Sequence, residues 1–84
     1  ILLKQGKPYE AIVLFQDELK FRPNLAVAHD GLGWSYLDLN QLTQSRIAFK
    51  AALKNEPLNN LTHKGLREIK LRIAAIKLSQ NSPP

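Results

Sequence analysis

The sequence predicts an all-α fold in which antiparallel helix-turn-helix units repeat along the chain, and three observations carry that reading. The first is a self-match. Shifting the chain by 34 residues superposes Leu3 on Leu37, Phe15 on Phe49, Leu19 on Leu53, Lys20 on Lys54 and Pro23 on Pro57, and likewise His29 on His63, Gly31 on Gly65, Leu32 on Leu66 and Leu37 on Leu71. Identities that accumulate at one fixed offset mark stacked supersecondary units, none of which buries its apolar face alone. The second is that apolar residues recur at the helical period rather than the alternating period of a strand. The third is punctuation, since Pro8, Pro23 and Pro57 stand where the periodic runs begin or stop.

Each element follows from these signals. A helix is predicted over 8–21, with Pro8 in the first turn, where a missing N–H costs nothing, and Ala11, Ile12, Leu14, Phe15 and Leu19 along one broad stripe. Pro23 stops it, and Asn24 is the expected N-cap of a second helix over 24–39. Asn40 and Gln41 make a short polar break. A third helix over 42–55 carries Ile47, Phe49, Ala52 and Leu53 and ends before Pro57. A fourth over 60–79 aligns Leu66, Ile69, Ile73 and Ile76, after which 80–84 is expected to fray as a disordered tail. The expected core is Ala11, Phe15, Leu19, Leu32, Gly33, Tyr36, Ile47, Phe49, Ala52, Leu53, Leu66, Ile69 and Ile73.

The stretch Ala26 to Asn59 resembles a tetratricopeptide repeat, a helix-turn-helix unit of the same period. The motif places of that family hold His29, Leu32-Gly33, Tyr36, Ser45, Phe49, Ala52 and Pro57 here, with His29 replacing the usual Trp and Ser45 the small Ala. Before it, Gly6, Ala11, Phe15 and Pro23 match the second half of a unit, with Glu18 where the family prefers Ala. The resemblance implies a right-handed solenoid fragment in one domain, 1–79. It divides into a truncated repeat over 1–25, a complete one over 26–59 and a C-terminal capping helix over 60–79. Ile1 to Gln5 would be the last turn of a helix whose beginning is missing. The absence of Met and the abrupt start at Ile1 give the same expectation, a piece of a longer protein.

Composition narrows the function classes. A chain of 84 residues with 44% hydrophobic and 23% charged residues is an ordinary small domain. No apolar run reaches the roughly 20 residues of a membrane span, and "ILLKQG" is followed by Lys7, Pro8 and Glu10 rather than by a secretory apolar region. Zero Cys excludes disulfides, thiolate metal sites and a cysteine nucleophile, and fits a reducing, cytoplasmic location.

Catalytic signals are lacking. Gly31 and Gly33 lie inside a helical pattern rather than after a strand, so they do not form a phosphate loop. Ser35 and Ser45 have no nucleophile elbow. His29 and His63 read as packing residues, since no Cys or carboxylate joins them at ligand spacing. No enzyme activity, metal or cofactor is therefore expected.

A binding role is. The resemblance places the first helix of each unit on a concave face, which assigns Val27, Asp30, Trp34, Leu37 and Asp38 in the second helix and Leu61, Lys64, Glu68, Leu71 and Arg72 in the fourth. Some members of that family grip a C-terminal carboxylate with Lys and Asn at the places held here by Asp30 and Trp34, so that clamp is not carried over. The expected partner is a peptide or helix, with Trp34 as the energetic centre; the competing reading has Trp34 simply packing against Leu71. A second function class rests on the net charge of +5 and on Lys64, Arg67, Lys70, Arg72 and Lys77, which could meet nucleic acid or an acidic partner, or form a solvated face. The truncated start leaves an apolar strip near Ile12, Val13 and Phe15, from which self-association through residues 1–16 is expected.

Overall fold

The computed structural model describes residues 7–81; the helix stump expected at 1–5 and the last three residues of the expected tail lie outside them. Among the described residues the protein is all-helical: α1 (Pro8–Phe21), α2 (Ala26–Asp38), α3 (Leu42–Asn55) and α4 (Asn60–Asn81). None of these helices is long and apolar enough to cross a membrane. The connections 22–25, 39–41 and 56–59 are short, so each helix returns along its predecessor. Helix α2 is central. It packs against α1, α3 and α4, and buries Ala26, Ala28, Leu32, Gly33, Ser35 and Leu37.

The sequence period reappears as a period of contacts. The Phe15 ring lies where a Cβ on Gly31 would sit, and one period later the Phe49 ring lies where a Cβ on Gly65 would sit. Likewise His29 Nε2 donates to the Pro23 carbonyl at 2.9 Å, and His63 Nε2 to the Pro57 carbonyl at 2.7 Å. The paired His and Pro are thus one device used twice, a ring that latches the loop before its own helix. Because the carbonyl only accepts, each Nε2 carries the proton.

Phe49 is the best-enclosed large side chain, with no exposure. Its ring is wedged between the backbones of Gly33 on α2 and Gly65 on α4, so both helices come closer than any Cβ would permit. The approach is fixed by Ser45 Oγ, which donates to the Gly33 carbonyl at 2.7 Å. Alanine at position 33 therefore pits two effects against each other: about 1 kcal/mol gained in helix propensity, and about 1–3 kcal/mol lost to overpacking. Here overpacking wins, because a ring pushed off Gly33 is driven into Gly65. Gly33→Ala should lower stability by about 1–2 kcal/mol in denaturant titration; a stabilised variant would show that the ring has room to move.

Several boundaries and core positions differ from the sequence expectation. The N-cap of α2 is Leu25, not Asn24, and no side chain caps it. Pro23 and Asn24 instead occupy a turn, closed by Leu25 N–H donating to the Arg22 carbonyl at 3.1 Å. The equivalent place one period on holds Asn59, whose Oδ1 accepts from the N–H groups of Leu61 and Thr62 at 2.9 and 3.3 Å, an N-cap in α4. Ile47 is 63% exposed rather than core. It lies about 200° around the helix from Ser45, and the buried side of α3 is Ser45, Ala48, Phe49 and Ala52. Phe15, Leu19, Tyr36, Leu53, Leu66 and Ile73 are only half-buried. Helix α4 runs to Asn81, two residues past its expected end.

The C-terminus of α2 is built with care, which matters for the site beside it. Asn40 adopts the left-handed conformation at φ 58°. Its N–H reaches the Leu37 carbonyl at 2.9 Å while that of Gln41 reaches the Tyr36 carbonyl at 2.8 Å, the paired bonds of a Schellman motif. The expected polar break at Asn40-Gln41 is this cap.

Candidate functional site

Helices α2 and α4 lie side by side, and their shared outer surface forms a groove of about 280 Å³ lined by Trp34, Leu37, Asp38, Lys64, Glu68 and Arg72. All six belong to the stripe assigned from the sequence. The remaining four assigned residues sit elsewhere on it. Val27 is 66% exposed, Leu61 and Leu71 are 61% exposed, and Asp30 is half-buried between the helices. None of these four lines the groove.

Leu71 is exposed and lies outside the groove lining. The wall facing Trp34 is made instead by Lys64, Glu68 and Arg72. Trp34 packs against the core cluster of Leu37, Phe49 and Ile69. Its indole meets Phe49 edge to face, with ring centroids 5.4 Å apart and planes at 82°, so one side supports the core while the half-exposed remainder faces the groove.

Asp30 and Arg72 hold the two helices together. Thr62 Oγ1 donates to Asp30 Oδ1 at 2.7 Å, joining α4 to α2 across the seam. Arg72 extends the seam to the other end. Its Nη1 donates to the Leu37 carbonyl at 2.9 Å and to Asn40 Oδ1 at 3.3 Å, and its Nε bonds Glu68 Oε1 at 3.2 Å. A cation over the last carbonyls of α2 also meets the negative end of the helix dipole. Sequence reasoning placed both residues on a partner surface. Both carry hydrogen bonds across the seam between α2 and α4, and Arg72 lines the groove as well.

The basic residues of α4 do not form one strip. Lys64 and Arg72 line this groove, whereas Arg67 and Lys70 face a second one between α3 and α4. That second groove, of about 480 Å³, was not foreseen; its other wall is Arg46 and Lys50. The signal lay in the repeat register, where Ile12 and Gln16 of the first unit are replaced one period later by Arg46 and Lys50.

Among the described residues no group of three or more His, Asp and Glu could hold a metal ion. The buried hydroxyls are engaged: Ser35 Oγ donates to the Gly31 carbonyl at 2.8 Å, and Ser45 and Thr62 bond as described above. No protein-family model, curated protein or solved structure matches this chain.

Proposed function

We propose that this chain is a non-catalytic protein-interaction module, a fragment of a right-handed tetratricopeptide-like solenoid, which binds a partner helix or an extended peptide along the groove between α2 and α4. The observation that carries this reading is the groove itself. It places the chain's one tryptophan, half-exposed, beside a wall of alternating charge, with Asp38 and Lys64 available to fix the register of a ligand. The solenoid reading is supported by the 34-residue period and by its translation into repeated contacts, Phe15 on Gly31 and Phe49 on Gly65.

The non-catalytic reading is supported by the state of the histidines, each held by a loop carbonyl in its own unit and neither joined to the other. A peptide library selected against the immobilised protein tests the proposal. Enriched peptides should share a short motif and, on titration, shift the emission of Trp34, the sole indole reporter. Selection that enriches no motif, or ligands that leave the indole emission unchanged while binding, would sink it.

A further inference from the structure

The groove between α3 and α4 is the seat that α3 fills one period earlier. Moved back by 34 residues, its floor of His63, Leu66 and Ile73 becomes His29, Leu32 and Leu39. In that first unit the seat is occupied: Ala48 of α3 packs with Ile12 and Leu32 in the core, with Tyr36 and Leu39 at its edge. Among the described residues no helix occupies the corresponding place beside α4.

The second seat differs from the first in charge. Ile12, Gln16, Gly33 and Tyr36 are replaced by Arg46, Lys50, Arg67 and Lys70. Where Gln16 Nε2 donates to Tyr36 Oη at 3.5 Å, the next unit sets Lys50 and Lys70, two like charges. Neither has an ion pair among the described residues, nor do Arg46 and Arg67. An occupant of matching chemistry is a helix with an apolar strip between carboxylates. It cannot be another α3, which carries Arg46, Lys50 and Lys54 and no acid.

Helix α1 has the required chemistry and register. Its span 8–21 is that of α3, 42–55, less one period of 34. It bears Glu10, Asp17 and Glu18 against Lys20 alone. The α3 residues Gln44, Ala48 and Ala51, which face His29, Leu32 and Tyr36, correspond in α1 to Glu10, Leu14 and Asp17. Leu14 and Val13 are each 55% exposed, an apolar strip with acids on either side.

We propose that the groove between α3 and α4 receives α1 of a second copy of this chain, so that copies associate head to tail and continue the helical period across their interface. Leu14 then meets Leu66, while Glu10 and Asp17 face Lys70 and the α3 cations. Arg67 replaces the glycine that lets α3 approach closely, so the seated helix stands farther out and charged side chains span the gap. Contacts of this kind weaken with salt, and a heterologous interface leaves a free groove and a free α1 at the ends of every assembly.

Sedimentation velocity across protein concentration at low and high salt tests this, with Leu14→Gln removing the inserted strip and Lys70→Glu reversing the seat. Both side chains are exposed, and circular dichroism verifies that the variants fold. The wild-type chain should self-associate, at least about tenfold more weakly in high salt. Each variant alone should be monomeric. Mixed together, they should form a one-to-one pair that grows no further, because the groove of the first still accepts the intact α1 of the second. A wild-type chain that stays monomeric at high concentration overturns the proposal, even if Lys70 then proves to bind an oligonucleotide or an unrelated acidic helix. So does a dimer that closes at two copies, or a mixture that fails to pair.

Discussion

Phe49→Ala should destabilise the protein by about 3–5 kcal/mol, toward the upper end of that range. The ring has no solvent exposure and is enclosed by Gly33, Gly65 and the edge-on indole of Trp34. Truncation leaves a cavity with two walls of bare helix backbone, which have no side chains to swing in. The backbones themselves are fixed in place by hydrogen bonds between helices, Ser45 to Gly33 and Thr62 to Asp30. A domain of this size has roughly 4–12 kcal/mol of stability in all, so the variant should be substantially unfolded at moderate denaturant where the wild type is intact. Phe15→Ala offers an internal comparison, because that ring holds the same register one period earlier but is half-exposed. It should cost less than half as much. Chemical denaturation followed by circular dichroism measures both, and equal losses would mean that the two units do not differ in enclosure.

Trp34→Ala should weaken binding of a selected peptide by at least about 2 kcal/mol, a loss of about thirtyfold. Interface energy concentrates in large aromatic side chains that become fully enclosed only in the complex, and Trp34 is the one aromatic residue lining this groove. Its second role complicates the reading. Losing the edge-to-face pair with Phe49 removes about 0.5–1.5 kcal/mol of stability as well. Binding must therefore be compared where both proteins are fully folded, with Trp34→Phe as the intermediate that keeps a ring near Phe49. If affinity falls only in step with stability, Trp34 is a core residue and the site lies elsewhere.

Much of the architecture was legible because the same instruction appears twice. Pro8 and the breaks at Pro23 and Pro57 set the bounds of α1 and α3, and the shared register of Phe15 and Phe49 marked the helix faces that pack. What escaped was the consequence of close approach. Once glycines bring helices together, the positions buried between them are small ones, Ala26, Ala28, Ser35, Ala48 and Thr62, which a search for large apolar residues passes over. Ile47 misled in the opposite sense, a large apolar side chain on the outer side of α3. Asn24 has the right chemistry for a cap, but the turn after Pro23 delays α2 by two residues.

The site was readable as a stripe and not as a division of labour. Helical spacing grouped Val27, Asp30, Trp34, Leu37 and Asp38 on α2, the family resemblance added Leu61, Lys64, Glu68, Leu71 and Arg72 on α4, and six of these ten line one groove. Spacing could not say that Asp30 and Arg72 would be committed to partners within the fold, because those partners, Thr62 and the Leu37 carbonyl, are more than 30 positions away in sequence. Nor could it separate the basic residues of α4 into two grooves, which needs the placement of α3.

The central claim, that the groove between α2 and α4 is a peptide-binding surface, is tested most directly by amide chemical-shift mapping during titration with a selected peptide. The expected result is a set of perturbed signals centred on Trp34, Asp38 and Lys64, including the indole N–H, with α1 unaffected. Perturbations confined to α1, or gathered around Lys50 and Lys70 in the other groove, would contradict it.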